Sequence, residues 1–116
     1  MERRDERVAC IGAGVIGNAW AALFAARGYR VVVQDPDPTA EQALAAMVDR
    51  AAATLDVAAA AIHGRLSFTT DLATALHGAV FVQESAPEKL ALKRRLLADI
   101  DRLAPPDAVI ASSTSD

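Results

Sequence analysis

Short strand-like runs alternate along the chain with longer segments in which apolar residues recur at helical spacing. The runs lie at 8–11, 31–33, 66–69, 79–84 and 108–112, and most of them are continuously apolar. Continuous apolar runs of this length are typical of parallel strands that are covered on both faces. Strands that alternate with helices and are joined by short turns predict an α/β fold, a Rossmann-like doubly wound parallel sheet with right-handed crossovers.

The first helical segment follows the first run directly. It is predicted to begin near Val15 and to end at Gly28, a natural C-cap. Its large apolar residues recur at helical spacing, so they predict the face that turns towards the sheet. The residues of that predicted face are Ile16, Ala19, Trp20, Leu23, Phe24 and Arg27.

The second helical segment is rich in alanine and long for a crossover helix. Asp37 is the expected N-cap, with Pro38 at the first helical position. The pattern is compatible with one helix to about Ile62, and also with a helical hairpin that breaks at 54–56. The apolar face consists of Leu44, Met47, Val48, Ala51, Leu55, Ala58 and Ile62.

Two further helices complete the predicted fold. Thr70 is expected to cap a short helix that runs through Leu76 and ends at Gly78. Another helix is expected after Pro87 and is stopped by prolines at 105 and 106. Its predicted inward residues are Leu90, Leu96, Leu97, Ile100 and Leu103.

Composition indicates one globular domain. The chain has 116 residues, of which 53% are hydrophobic, and we expect a tail over 1–7 that includes solvated Arg3, Arg4 and Arg7, and a domain over 8–116. A net charge of -3 argues against a nucleic-acid partner. No signal peptide is expected, because the N-terminal tail leads into a strand rather than into an apolar signal region, and no run approaches the roughly 20 apolar residues of a membrane span. The single cysteine, Cys10, lies in the first strand and is expected in the core, which favours a reducing cytoplasm.

The first strand runs directly into the pattern G-x-G-x-x-G, and each glycine has a mechanical reason. Gly12 permits the tight turn from strand to helix, and Gly14 lets the backbone approach a diphosphate. Gly17 allows the helix to pack closely against the strands. The unpaired N–H groups at the start of the helix would bind the diphosphate, so the turn predicts a dinucleotide site.

An acid ends the second strand of this unit. Asp35 follows Gly17 by 18 residues, close to the spacing of about 20 at which an acid binds the adenine ribose in dinucleotide-binding folds. The alternative is a solvated turn residue before Pro36. Because strand, glycines, helix, strand and acid occur in order, the ribose role is favoured.

Other candidate residues are ambiguous on spacing alone. The loops after Ile11, Val33, Glu84 and Ser112 are expected to face one crevice, because ligands bind beyond the carboxyl ends of the strands in such sheets. By spacing alone, Glu88 is typical of an acid at the start of a helix and Lys93 of a surface lysine. The serines and threonine at 112–115 are typical of a polar loop. His63 and His77 each precede a glycine at a helix end and are expected to be structural. No spacing of histidine, cysteine and acid indicates a metal site.

Three motifs together resemble the N-terminal domain of the 3-hydroxyacyl-CoA dehydrogenase family. They are G-A-G-V-I-G at 12–17, F-V-Q-E-S-A-P-E-K-L-A-L-K-R-R-L at 81–96 and A-P-P-D-A-V-I-A-S-S-T-S at 104–115. The resemblance covers about residues 7 to 115. Members that act on CoA esters usually have S-N-T-S where this chain has S-S-T-S, which favours the branch that acts on small hydroxy acids without CoA, such as L-carnitine and L-gulonate.

The resemblance implies a cofactor and a role for each matching residue. NAD is the implied cofactor, with its diphosphate on Gly12, Ala13, Gly14, Val15, Ile16 and Gly17 and its adenine ribose on Asp35. Glu88 and Lys93 match an acid and a lysine beside the nicotinamide half, which reverses the interpretation from spacing. Ser115 matches a serine that hydrogen-bonds near the nicotinamide and the substrate oxygen.

The family's catalytic base is a histidine downstream of the serine run, followed by a helical domain that closes the site and forms a homodimer. Neither His63 nor His77 lies at the corresponding position, so we expect this chain to lack the base and the dimerising domain.

The implied activity is oxidation of a 3-hydroxyl to a 3-keto group with NAD, and L-carnitine is the favoured substrate. One alternative is a 3-hydroxyacyl-CoA substrate such as 3-hydroxybutyryl-CoA, in fatty acid metabolism. Another is a non-catalytic dinucleotide-binding module or a truncated fragment. An S-adenosylmethionine site is a further alternative, against which the third glycine and the pair Glu88 and Lys93 argue.

Overall fold

The fold is built on a parallel sheet of five strands. The computed structural model describes residues 4–87 and 89–113. The strands are β1 (Arg7–Ile11), β2 (Arg30–Gln34), β3 (Leu66–Thr69), β4 (Ala79–Glu84) and β5 (Val109–Ser112). The helices are α1 (Val15–Ala26), α2 (Ala40–Leu55), α3 (Ala59–His63), α4 (Leu72–Leu76) and α5 (Leu90–Leu103).

The strand order is β3-β2-β1-β4-β5, and every pair is parallel. The chain therefore winds outwards from β1 to β3, crosses to β4 and continues to β5 on the other side. The switch in direction lies between β1 and β4, where doubly wound sheets bind their ligands. The predicted Rossmann-like parallel sheet is confirmed.

Alternation along β1 divides the core into two layers. Val8 and Cys10 pack with residues of α1, α2 and α3, whereas Ala9 and Ile11 pack with residues of α4 and α5. Cys10 is fully buried, as expected, and burial raises the pKa of its thiol to about 12. The central strand is thus covered on both faces.

Helix α1 turns its small residues inward, so the predicted inward positions of Ile16 and Trp20 are wrong, whereas Phe24 packs against the core as predicted. The buried residues are Gly17, Asn18, Ala21, Ala22 and Ala25. Ile16 and Trp20 are 58% and 39% exposed, and Trp20 stacks on the ring of Phe24 with centroids 5.8 Å apart. Small side chains let the helix axis approach the sheet, which leaves the large ones at its margins.

The alanine-rich segment forms two helices, which decides between the two possibilities. Asp56 has the left-handed φ of 54° between α2 and α3. The start of α2 differs from prediction, because its first helical residue is Ala40 rather than Pro38. Asp37 accepts hydrogen bonds from the backbone N and the Oγ1 of Thr39, at 2.9 and 2.7 Å, in the turn before the helix.

The predicted cap of α4 is off by one residue. Asp71, not Thr70, is the N-cap, and its carboxylate accepts a hydrogen bond of 2.9 Å from the backbone N of Thr74. Hydrogen bonds from Thr74 lower the pKa of Asp71. A carboxylate serves this position better than a hydroxyl because its charge also complements the helix dipole.

Helix α5 has a narrower buried face than predicted. Leu90 is 69% exposed, so its predicted inward position is wrong, whereas Leu96, Leu97 and Leu103 pack against the core and Ile100 is buried. Lys93 occupies a buried position on this helix, with 5% exposure. The interpretation of Lys93 as a surface lysine is therefore wrong.

Arg4 and Arg7 of the N-terminal segment are partly buried rather than solvated, whereas Asp5 and Glu6 are exposed. The backbone N of Arg4 donates to the carbonyl O of Gly28 at 2.9 Å, and its guanidinium lies 5.1 Å from the centroid of the Tyr29 ring. Arg65 donates to the carbonyl O of Arg4, and Arg7 is the first residue of β1. Within the described residues, no helix has the length and apolar character needed to cross a membrane.

Candidate functional site

A crevice of about 520 Å³ opens at the carboxyl ends of the strands. It brings together the loops after β1, β2, β4 and β5, which confirms that they face one crevice. The lining residues are Gly12–Ile16, Asp35, Asp37, Ala40, Ser85–Pro87 and Ser113.

The glycine turn forms the floor of the crevice under strong steric constraint. Gly12 has a φ of 102°, and a Cβ there would lie 2.9 Å from the backbone of Ser85 and Ala86. A Cβ on Gly17 would lie only 2.0 Å from the carbonyl O of Gly12. At Gly14, by contrast, a Cβ would meet no atom within 4 Å. The first and third glycines therefore serve packing, and the second leaves open space above the backbone.

The start of α1 supplies the rest of the floor. Ala13 is buried, whereas Val15 is 81% exposed at the first position of the helix. The first helical N–H groups have no partner within a helix, so those at this end point towards the crevice. The floor therefore combines open backbone donors with apolar side chains.

Asp35 is half-buried beside the glycine turn. Its Oδ2 accepts a hydrogen bond from the backbone N of Ala13 at 2.9 Å, and its Oδ1 accepts one from the backbone N of Asp37 at 3.0 Å. Each carboxylate oxygen has further acceptor capacity. Asp35 is thus fixed in orientation and still able to accept from hydroxyl groups, which a freely solvated turn residue would not be.

Glu88 and Ser115 lie outside the described residues, and Lys93 is found below the loop that follows β4. The Nζ of Lys93 lies 3.4 Å from the Oε2 of Glu84 and donates to the carbonyl O of Ala86 at 3.2 Å. Lys93 also lines a second cavity, of about 450 Å³, together with Gly12, Asp35, Pro36 and Pro87. The lysine therefore borders the glycine turn from the side opposite α1.

Glu84 is a functional candidate for which the sequence predicted no role beyond the end of a strand. Its side chain is fully buried at the end of β4. The Oε1 of Glu84 accepts a hydrogen bond from the Oγ of Ser112 at 2.5 Å, and the Oε2 accepts one from the backbone N of Ala86 at 2.6 Å. The signal in the sequence was a carboxylate at the end of a strand, the feature that singled out Asp35.

Asn18 is a second residue that the pattern did not indicate. It is 3% exposed on α1, and its Oδ1 has no hydrogen-bond partner within the described ranges. Asn18 lines a groove of about 730 Å³ between α1 and α2, next to Gly14. The available signal in the sequence was a polar amide side chain among the small residues of the first helix.

The two histidines lie away from the crevice. The Nε2 of His63 is 2.9 Å from a carboxylate oxygen of Asp49, in an exposed pair on α3 and α2. His77 is the exposed C-cap residue of α4. In the part of the chain that the structure describes, no cluster of histidine, cysteine and acidic residues is suited to a metal ion.

The profile of the family described as 3-hydroxyacyl-CoA dehydrogenase, NAD binding domain, matches residues 7–116. The chain belongs to this family. It is an NAD-binding Rossmann domain, and its cofactor is NAD. The crevice at the glycine turn is accordingly the place to look for the cofactor.

Curated relatives narrow the likeness further. The chain is 55% identical to L-carnitine dehydrogenase of Streptomyces coelicolor over 112 residues, covering 94% of this chain and 35% of that protein. It is 45% identical to L-carnitine dehydrogenase/betainyl-CoA thioesterase of Rhizobium meliloti, covering 94% and 23%. The chain thus spans about a third or less of the length of these relatives.

Among solved structures, 3-hydroxybutyryl-CoA dehydrogenase from Escherichia coli K12 superposes with a TM-score of 0.82 and 27% identity. The match covers 97% of this chain and 25% of that one. The fold is therefore shared across the family, whereas the higher sequence identities are to carnitine dehydrogenases.

Proposed function

We propose that this chain is the NAD-binding part of a dehydrogenase that oxidises the 3-hydroxyl group of L-carnitine to a keto group. The higher identity to proteins named L-carnitine dehydrogenase supports this substrate over a 3-hydroxyacyl-CoA. The S-S-T-S run at 112–115, in place of S-N-T-S, points in the same direction.

The glycine turn fits the diphosphate of NAD. The open space over Gly14 and the N-terminal end of α1 together provide a cradle that a Cβ at Gly14 would partly fill. This fit is the observation that carries the cofactor part of the proposal, and the sequence identities carry the substrate. The residues that would hold the diphosphate are Gly12, Ala13, Gly14, Val15, Ile16 and Gly17.

Asp35 would accept hydrogen bonds from the adenine ribose. Its carboxylate is fixed by Ala13 and Asp37 at the rim of the crevice, so the hydroxyl groups meet a preoriented acceptor. Specificity for NAD would follow, because the carboxylate repels a 2′-phosphate.

The other end of the crevice would hold the nicotinamide half and the substrate. Ser113 lines the same crevice as Gly14, and Ser115 follows two residues later in the chain. We assign Glu88 and Lys93 to the nicotinamide half and Ser115 to the substrate oxygen, on the family resemblance. The contact of Lys93 with Glu84, which also binds Ser112, supports a place for the lysine near this end.

NAD supplies the hydride acceptor when it is bound. The residues of this chain would bind and orient it, and Ser115 would orient the substrate oxygen, but a serine is too weakly basic to take the hydroxyl proton. Within residues 4–87 and 89–113, neither histidine lies in the crevice. We therefore assign the general base to the histidine that family members carry downstream of the serine run.

The assembly and location follow the same resemblance. We propose a homodimer formed through the family's helical domain, because members of the family dimerise in that way. We also propose a cytoplasmic location, which a buried and reduced Cys10 suits.

A chimera tests the proposed substrate. This chain would replace the matching 112 residues of the Streptomyces coelicolor relative, and NADH formation would be followed with L-carnitine and with 3-hydroxybutyryl-CoA. Turnover of L-carnitine at a rate within about tenfold of the parent is the expected result, since the proposed contacts are retained. A folded chimera that binds no NAD would refute the proposal, and preference for the CoA ester would favour the alternative substrate.

A further inference from the structure

Glu84 lies where three strands end together. In the sheet it is in register with Ile11 of β1 on one side and with Ser112 of β5 on the other. Its backbone O accepts a hydrogen bond of 2.8 Å from the backbone N of Ser113. The next residue, Ser85, donates its backbone N to the carbonyl O of Ile11 at 2.8 Å. Glu84 is therefore at the switch point of the sheet.

The two oxygens of this carboxylate are bound to different segments of the chain. Oε1 accepts from the Oγ of Ser112, at the start of the serine run. Oε2 accepts from the backbone N of Ala86 and lies 3.4 Å from the Nζ of Lys93. One side chain thus connects β5 to the loop that follows β4.

A carboxylate with no exposure is costly unless charge and hydrogen bonds compensate it. Here a backbone N–H, a hydroxyl and an ammonium group together provide that compensation. The same three contacts make the geometry rigid, because moving either segment would take a hydrogen bond away from a buried charge. A leucine or a methionine could fill the volume, but neither could connect the two segments.

We propose that Glu84 is a positioning residue that fixes the distance between the loop Ser85–Pro87 and the start of the serine run, at Ser112 and Ser113. This inference rests on the proposed function, in which that loop borders the nicotinamide half and Ser115 contacts the substrate oxygen. Glu84 touches neither cofactor nor substrate in this assignment. It acts through Lys93 on one side and Ser112 on the other.

Glu84→Gln tests the inference, because it keeps the volume of the side chain and removes its charge and one acceptor. Binding of ADP-ribose by calorimetry reports the contacts to adenine, to both riboses and to the diphosphate, without the nicotinamide ring. Fluorescence anisotropy of bound NADH reports how firmly the dihydronicotinamide half is held. Glu6→Gln is the matched control, since Glu6 is exposed and directly precedes β1, at the end of the strands opposite the crevice.

Glu84→Gln is expected to weaken NADH binding by about tenfold and to lower the anisotropy at saturation, with ADP-ribose affinity kept within about twofold. A merely structural role would lower the melting temperature and weaken both ligands by the same factor, and that result would overturn the inference. Unchanged anisotropy in a folded Glu84→Gln would overturn it as well.

Ser112→Ala provides a second route if Glu84→Gln fails to fold. It removes the bond to Oε1 and leaves the contacts of Oε2 in place, so we expect the same change in anisotropy to a smaller degree. Ser112→Thr keeps a hydroxyl and should retain the wild-type anisotropy. Wild-type anisotropy in Ser112→Ala would overturn the inference, and so would an equal loss of anisotropy in Ser112→Ala and Ser112→Thr. Wild-type protein that binds neither ADP-ribose nor NADH would instead overturn the proposed function, and the positioning role with it.

Discussion

Replacing Gly17 with alanine should destabilise the fold more than any other single methyl addition to the glycine turn. The added Cβ would lie 2.0 Å from the carbonyl O of Gly12, so helix and turn must separate by about 1 Å to reach even 3.0 Å. Both partners are backbone, and neither can rotate away. Overpacking commonly costs about 1–3 kcal/mol, and we expect the upper end, about 3 kcal/mol. For a domain of this size the melting temperature should fall by roughly 12 °C.

Gly14→Ala is the control, because a Cβ there meets no protein atom within 4 Å and the φ of Gly14 is -84°. Its melting temperature should stay within about 2 °C of wild type, since surface substitutions away from special features change stability little. NAD binding should nevertheless weaken, because the methyl group occupies space proposed for the diphosphate. Differential scanning calorimetry and titration calorimetry measure the two effects. A Gly17→Ala protein with wild-type stability would refute the steric argument, and a Gly14→Ala protein with wild-type NAD affinity would refute the cradle.

Three further predictions follow from other parts of the fold. NAD should bind at least about tenfold more tightly than NADP, because the carboxylate of Asp35 repels a 2′-phosphate, and Asp35→Ala should narrow this ratio of affinities. Equal affinities of the wild type for NAD and NADP in titration calorimetry would contradict the assignment of Asp35 to the adenine ribose. Burial raises the pKa of the Cys10 thiol from 9.0 to about 12. Between these pH values the folded state keeps the thiol proton and the unfolded state loses it, so the free energy of unfolding should fall as the pH rises. Chemical denaturation of wild type against Cys10→Ala across that range isolates this contribution, and parallel pH profiles would show that it is absent. Asp71→Ala should lower the melting temperature more than Thr70→Ala does, since Asp71 is the residue that caps α4; the reverse order would restore the original prediction for Thr70.

The sheet and the glycine turn were predictable because their signals are local. Runs of apolar residues mark buried parallel strands, and the interval from Gly17 to Asp35 is set by the length of one helix and one strand. Strand bounds accordingly differ from prediction by about one residue, as at Arg7 and Val109. The break at Asp56 needed the structure, because an alanine-rich segment favours a helix on both sides of it.

The orientation of α1 was not predictable from hydrophobicity alone. Periodicity of Ile16, Trp20 and Phe24 indicates a face, but the requirement for close approach at Gly17 decides which face turns inward. Steric fit outweighs apolar area here, since a helix that turned Trp20 inward would be displaced from β1. The burial of Lys93 was hidden for a related reason, because its partner Glu84 belongs to another element.

The backbone of Ser85 and Ala86 is the wall that the two halves of the site share. On one side it lies so close to Gly12 that no Cβ fits between them. On the other side the N–H of Ala86 is bound by Glu84 and its carbonyl O by Lys93. Loss of the contacts of Glu84 would therefore act on the end of the crevice at Ser113, because the floor beneath the diphosphate is also held by the packing of Gly17 against the carbonyl O of Gly12. Close packing at Gly17 is independent of Glu84, so the two halves of the site are expected to respond separately to Glu84→Gln.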